Sequence, residues 1–375
     1  DPNARFSGVP AWGDAGTIVP WTSYVNYGDL RLLREMLPAA RRWVDYIRAQ
    51  NPDGIWRHGR NNDYNDWLNG DTLIYKDWPT KGGAIPNEVF ATAFYQRSAW
   101  IVHRMAALLG EKEIAREYGD LAESIRGAFQ AAFLQPDGRI TGDTQAGYAL
   151  ALHFDLVPDA MRPAVVEHMV EALRRYGNRM STGMQTSHRL MLELTAAGRL
   201  DLAYGLLLTR EFPSWGYMME NGATTIWERW DGYVKGRGFQ NPGMNSFNHW
   251  AFGSVGEWMA RVIGGLNPLE EHPAYARFLV WPRPGGGLKH ASFRYRSIRG
   301  EIRIAWRLEG DRYTLEVVVP PNTRAEVRVA AREGAEVRES GAAPSPERGV
   351  RPLGWRDGAA AFEVGSGTYR FESRL

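Results

Sequence analysis

The segment Trp227-Glu-Arg-Trp-Asp231 sets one carboxylate, Glu228, between two indoles, directly after Gly222-Ala-Thr-Thr-Ile226. A carboxylate among large aromatics loses part of its hydration, which raises its pKa and suits it to act as a general base near neutral pH. Indole faces also stack on the C–H faces of sugars, and Trp227 and Trp230 are two of 15 tryptophans in the chain. Twenty-one residues past Glu228, Phe247-Asn-His-Trp250 places His249 where it would donate to a sugar hydroxyl. The plainer reading makes Glu228 a satisfied structural acid and His249 a packed core histidine. Acids, tryptophans and a histidine, without nucleophile or metal motifs, point to chemistry on glycosides. His-Glu-x-x-His and Gly-x-Ser-x-Gly are absent, and Gly236-Arg-Gly238 lacks the strand–helix context of a nucleotide loop.

Two further clusters carry acids beside indoles. Asn61-Asn-Asp-Tyr-Asn-Asp-Trp67 is oxygen-rich, as calcium loops are, but its spacing lacks the EF-hand pattern, so no metal is expected. A polar loop turning Asp66 and Trp67 toward a sugar is the functional reading, and ordinary Asx-turn structure is the alternative. In Trp12-Gly-Asp-Ala15, Asp14 serves as a helix cap, as an acceptor for a substrate hydroxyl, or as both.

The 375 residues hold one large and one small domain, or one long helical array. A formal charge of +2 argues against a nucleic-acid surface or a polybasic membrane surface. No cysteine is present, which excludes disulfides, thiolate metal sites and cysteine nucleophiles. No apolar run approaches the roughly 20 residues of a membrane span. The start, Asp1-Pro-Asn-Ala-Arg5, has neither an initiator methionine nor a signal pattern, so the chain is expected to begin inside a longer product.

The elements that position these residues divide the chain in two. Residues 1–270 read as helices. Leu30, Leu33, Leu37, Ala40, Val44 and Ile47 form one helical face, and Val89, Ala93, Ile101 and Met105 lie along another. Nine helices are expected, including 15–27, 86–108, 144–155, 184–197, 199–211 and a last one at 245–263. Tight turns alternate with long links, the rhythm of helical hairpins in an (α/α) toroid. The segments before the inner helices carry Asp14, Asn87, Asp143, Thr182 and Asn245, with Asp143 and Thr182 read mainly as N-caps. A six-hairpin ring needs about twelve helices, so about three are expected upstream. Residues 271–375 alternate instead, as in Gly300–Trp306 and Tyr313–Val319, with a hairpin turn at Gly310-Asp311. They predict an antiparallel β-sandwich, with 331–354 as an extended loop.

Pro10-Ala-Trp-Gly-Asp-Ala-Gly-Thr-Ile-Val-Pro-Trp21, Asp66-Trp-Leu68, Gly222–Asp231, Asn245-Ser-Phe-Asn-His-Trp250 and Pro320-Pro-Asn-Thr-Arg-Ala325 together resemble bacterial α-L-rhamnosidases of glycoside hydrolase family 78. The resemblance covers essentially the whole chain, with its motifs in order. It implies an (α/α)6 catalytic toroid, here incomplete at its N-terminus, followed by a β-sandwich. It implies hydrolysis of terminal α-L-rhamnose with inversion, without a cofactor. By matching position, Glu228 would be the base that activates water. Trp12, Trp67 and His249 would contact rhamnose, with Asp14 near them.

The family's general acid is a glutamate in an Arg-Asp-Glu motif preceding the Trp-Gly-Asp-Ala segment, and that motif is not in this sequence. The acid is therefore expected upstream, and an oligomer or a complementing N-terminal segment would cover exposed inner-helix faces. The resemblance favours a cytoplasmic enzyme. The competing readings are a non-catalytic carbohydrate-binding fragment, and a toroid glycosidase for another deoxyhexoside or a uronide.

Overall fold

The computed structural model describes residues 8–73 and 82–375. They fall into two compact units, one comprising the chain up to Trp21 with Leu30–Val255, the other Thr22–Asp29 with Gly256–Leu375. A helical region followed by a β-rich one is the order expected from the sequence.

Helix α1 spans Ala15–Tyr27, followed by α2 (Leu30–Gln50), α3 (Asn87–Leu109), α4 (Lys112–Phe133) and α5 (Gln145–His153). Then come α6 (Arg162–Arg174), α7 (Ser187–Ala196), α8 (Leu200–Leu208), α9 (Trp215–Glu220) and the single turn α10 (Val255–Trp258). Helix α2 buries Leu33, Leu37, Ala40, Val44 and Ile47 of the predicted stripe and leaves Leu30, its first residue, exposed. Helices α3 and α5 differ: Val89 through Gln96 and Gln145 through Leu152 are buried without a break. Packing explains the difference. Helix α3 lies against α2, α4 and α5, while α5 lies against α3, α6 and α7, so neither has a solvent side to supply with polar residues. The odd-numbered helices α3, α5 and α7 therefore form an inner row that continues to the turn at Ala251–Ser254.

Three expectations need correction. No helix covers 245–250: Ser246 and His249 instead pair through their backbones with Glu228 and Ile226. Helical structure starts at Ala251 as a 3-10 turn, runs through α10, and ends in a π turn at Met259–Ile263. Helix α9 lies between the helices expected at 199–211 and 245–263, where the sequence shows no period because six residues are too few for one. Neither Asp143 nor Thr182 caps a helix. Thr144 caps α5, accepting from Gly147 N–H at 3.1 Å, while Asp143 pairs with Arg175 at 3.1 Å and Thr182 meets the Ser187 hydroxyl at 2.8 Å.

The helical region also carries two short strands, β1 (Tyr233–Val234) and β2 (Gly238–Phe239). The second unit holds β3 (Leu266–Pro268), β4 (Arg277–Val280), β5 (His290–Ser297), β6 (Gly300–Glu309) and β7 (Arg312–Val319). It continues with β8 (Arg324–Ala330), β9 (Arg338–Glu339), β10 (Val350–Arg356), β11 (Ala359–Val364) and β12 (Gly367–Arg374). Two five-stranded sheets form, ordered β10-β11-β8-β4-β3 and β5-β6-β7-β12-β9. Their inner faces share one core, with Phe278, Val327 and Phe362 from the first sheet meeting Ile304, Leu315 and Phe371 from the second. The sandwich is not purely antiparallel, since β4 and β8 pair in parallel from Arg277↔Arg324 to Val280↔Val327. The 331–354 stretch is not all loop either. It contains β9 and the first part of β10, whose proline, glycine and arginines hide the strand pattern. Among the described residues no helix is long and apolar enough to cross a membrane.

Candidate active site

Glu228 lies half-buried on an irregular segment hydrogen-bonded to residues 246–249. Its backbone N–H donates to Ser246 O at 2.9 Å, and Ser246 N–H donates to the Glu228 carboxylate at 3.0 Å. Two residues earlier, His249 N–H donates to Ile226 O at 2.8 Å, which brings the histidine segment alongside the glutamate segment. The His249 ring is half-buried, stacks beside Trp250, and accepts from Ala251 N–H at 3.3 Å through Nδ1. Its Nε2 is therefore the nitrogen left to meet a ligand.

The indoles flanking Glu228 do not form the expected open platform. Trp230 is fully buried between Trp215 and Phe252, and its Nε1–H donates to Thr182 O at 3.2 Å. Trp227 is also buried, against the edge of Phe247 at 5.3 Å. Both anchor the segment and leave no face for a sugar. Arg229 reaches Thr72 O at 3.0 Å and donates to Asp231 at 2.9 Å. Asp231 is fully buried and takes a second bond, from Gln240 at 3.0 Å.

Asp66 departs from its sugar-facing reading. It is fully buried, and its carboxylate accepts from the backbone N–H groups of Gly183 at 2.7 Å, Gln185 at 3.0 Å and Thr186 at 3.2 Å, and from the Thr186 hydroxyl. A carboxylate from a distant loop thus satisfies three backbone donors in the turn that leads into α7, whose N-cap residue is Thr186. Burial pushes this carboxyl up to about 6 despite those donors. Asn65 and Leu68, on either side, adopt left-handed backbone at φ 58° and 60°. Such turns cost about 1–3 kcal/mol each and persist where the surroundings over-determine them. Here they send Asp66 inward and leave Trp67 half-buried. Gly183 must be glycine, since a Cβ would come within 2.3 Å of Trp67 O.

Trp12 is exposed, with its ring 5.3 Å from Tyr64, which in turn lies 5.0 Å from Trp67. These three rings form an aromatic row, and Asn62 donates to the Tyr64 hydroxyl at 2.7 Å. Tyr64 was not singled out from sequence. Asp14 is a scaffold acid. Fully buried, it accepts from Trp43 Nε1–H at 2.8 Å, the Ser98 hydroxyl at 2.6 Å and Ala11 N–H at 2.8 Å. Burial raises its pKa against those bonds. It neither receives the N2 or N3 amide of α1 nor offers an oxygen to a ligand. Gly13 fits because the Trp43 ring would lie 2.2 Å from any Cβ there.

The loops before α3, α7 and α10 are thus stitched together by Asp66, Arg229 and Trp230, and the loop before α1 joins them where Trp12 meets Tyr64. What they leave accessible is Glu228, His249, Trp12, Tyr64 and Trp67: one carboxylate, an imidazole on the segment paired with it, and aromatic rings suited to a sugar face.

Residues 1–263 match the family model described as bacterial alpha-L-rhamnosidase 6 hairpin glycosidase domain, and 265–343 match the bacterial alpha-L-rhamnosidase C-terminal domain. The chain is 41% identical over 366 residues to an alpha-L-rhamnosidase of Streptomyces avermitilis, covering 97% of this chain and 33% of that protein. It is 36% identical over 323 residues to one of Formosa agariphila, covering 85% and 34%. The solved structure of the Streptomyces avermitilis enzyme complexed with L-rhamnose superposes with a TM-score of 0.86 at 40% identity, over 97% of this chain and 33% of that one. The chain therefore spans about a third of the length of these relatives.

Proposed function

Because this chain belongs to the bacterial α-L-rhamnosidase family, we propose that its helical unit carries the base side of a site that releases terminal α-L-rhamnose with inversion. Glu228 takes a proton from a water molecule, whose oxygen attacks the anomeric carbon on the face opposite the glycosidic bond. That bond breaks with its electron pair going to the leaving oxygen, which receives a proton from a general acid. Inversion asks for two carboxyls about 6.5–9.5 Å apart, leaving room for the water. Glu228 is one, and the reading assigns the other to a segment outside residues 1–375.

The observation that carries this assignment is the half-buried Glu228 carboxylate, held by Ser246 N–H on the segment that also presents His249. Trp12, Tyr64 and Trp67 would pack on the sugar ring, and His249 would donate to a hydroxyl. Asp14, Asp66, Trp227 and Trp230 act behind them as scaffold.

The test is hydrolysis of an aryl α-L-rhamnoside by the 375-residue chain and by a version extended upstream through the acid motif. Turnover is expected only in the extended form, with β-L-rhamnose as the first anomer seen by proton NMR. Glu228→Gln in that form should lower kcat by about 10²–10⁴. Near-normal turnover by that variant, or an α-anomer product, overturns the assignment.

A further inference from the structure

The sheet ordered β10-β11-β8-β4-β3 has two faces of opposite chemistry. Phe278, Val280, Val327, Val329, Phe362 and Val364 point into the core. The intervening residues point outward, and arginines dominate them. Pairing sets Arg351 opposite Glu363, Glu363 opposite Glu326, and Arg277 opposite Arg324. Glu363 meets Arg351 at 2.6 Å, Arg277 at 3.4 Å and Arg324 at 3.7 Å. Glu326 meets Arg356 at 2.8 Å and Arg328 at 2.9 Å. Five guanidinium groups therefore enclose two carboxylates.

Depth separates the two signs. The side chains of Arg324, Arg351 and Arg356 are 70%, 56% and 43% exposed, against 11% for Glu326 and 12% for Glu363. The acids lie beneath and the guanidinium groups stand above them, so this face presents positive charge to solvent. Asp357, paired with Arg328, is the third acid and leaves the arginines in excess. On the outer face of the other sheet the acids lie less deep: Glu301 and Glu372 are 33% and 29% exposed, and Glu309 and Glu316 are as exposed as the arginines they meet.

What the arrangement does achieve is preorganisation. Arg351, through its hydrogen bond, and then Arg277 and Arg324 hold Glu363 below the usual carboxylate range, so it stays ionised and keeps orienting them. A guanidinium already oriented loses less side-chain entropy on binding. Its planar fork matches a carboxylate in a two-point contact. Arg283 and Arg328 lie 3.5 and 4.5 Å from the centroid of the Trp281 ring, which places an indole at one margin. With strands ~4.8 Å apart and ~3.3 Å per residue, the face measures roughly 14 by 13 Å, enough for a short run of sugar rings.

We propose that this face binds an acidic glycan, a chain carrying carboxylate groups at intervals, with Arg324, Arg351 and Arg356 as its contacts and Trp281 as an apolar rim. The choice of a glycan over other polyanions rests on the rhamnosidase reading, whereas the cationic face does not.

The test is affinity electrophoresis of the 375-residue chain in gels containing polygalacturonate or neutral dextran. Polygalacturonate should retard the chain and dextran should not, with the effect fading as salt screens the charges. Arg324→Gln/Arg351→Gln/Arg356→Gln keeps a donor near each buried acid and should weaken retardation by about tenfold. Arg294→Gln/Arg307→Gln/Arg370→Gln, on the other sheet, should change it less than about twofold. No retardation, equal loss in both variants, or equally tight binding of duplex DNA each overturns the proposal. Hydrolysis is not read, so failure here leaves the Glu228 assignment standing, and failure of that assignment leaves this binding measurable.

Discussion

Asp14 and Glu228 illustrate how two acids beside indoles take different work. Asp14 has no exposed surface and three donors from Trp43, Ser98 and Ala11, whereas Glu228 is half-buried with Ser246 N–H on its carboxylate. We predict that Asp14→Ala lowers folding stability by about 2–4 kcal/mol, because it strands buried donors. Urea unfolding checks this, and a variant that loses rhamnose affinity while keeping wild-type stability would count against the scaffold role. The tryptophans divide the same way. Trp230→Ala empties a fully enclosed site and should cost about 3–5 kcal/mol. Trp12→Ala removes an exposed ring, so stability should hold within about 1 kcal/mol while rhamnose binding, followed by indole fluorescence, weakens. Equal destabilisation by the two substitutions would contradict this division.

At the level of elements, the 61–73 loop is held by Asp66, whose carboxylate binds the start of α7. Burial raises its pKa from 3.8 in the unfolded reference to about 6, so the folded chain grips this proton more tightly than the unfolded chain does. The favourable contribution of protonation is then complete below about pH 3.8 and disappears as pH rises through about 6. At ~1.4 kcal/mol per tenfold change in proton affinity, the swing is on the order of 3 kcal/mol. Asp66→Asn does not titrate, so its unfolding midpoint in urea should vary less between pH 4 and pH 7 than that of the parent chain. Matching pH profiles in the two proteins would remove Asp66 as the cause. The same close approach of the two segments explains why the turn ahead of α7 tolerates no Cβ at residue 183.

Across the whole molecule, the residues proposed to meet a sugar all lie in loops of the helical unit, while the sandwich has its own closed core. L-Rhamnose should therefore slow amide exchange around 11–16, 61–70, 182–187 and 225–250. Amides of β5 to β12 should exchange at unchanged rates. Protection confined to the strands would move the rhamnose site out of the helical unit.

Periodicity alone located α2 and the β6–β7 hairpin, because burying one stripe or one sheet face imposes a 3.6- or 2-residue repeat that a window of the sequence displays. Ordered motifs were likewise legible as family membership. What the sequence could not display was which acid faces solvent. The partners of Asp14 lie 29 and 84 residues away and those of Asp66 up to 120 residues away, so saturation of these carboxylates exists only once the loops have met. The last helix shows the same limit. The reading of 245–263 as one helix fails over 245–250, where Ser246 and His249 give their backbone bonds to Glu228 and Ile226 instead. Tertiary structure decided these points because hydrogen bonds are counted in space, and neighbours along the chain do not reveal who is already paired.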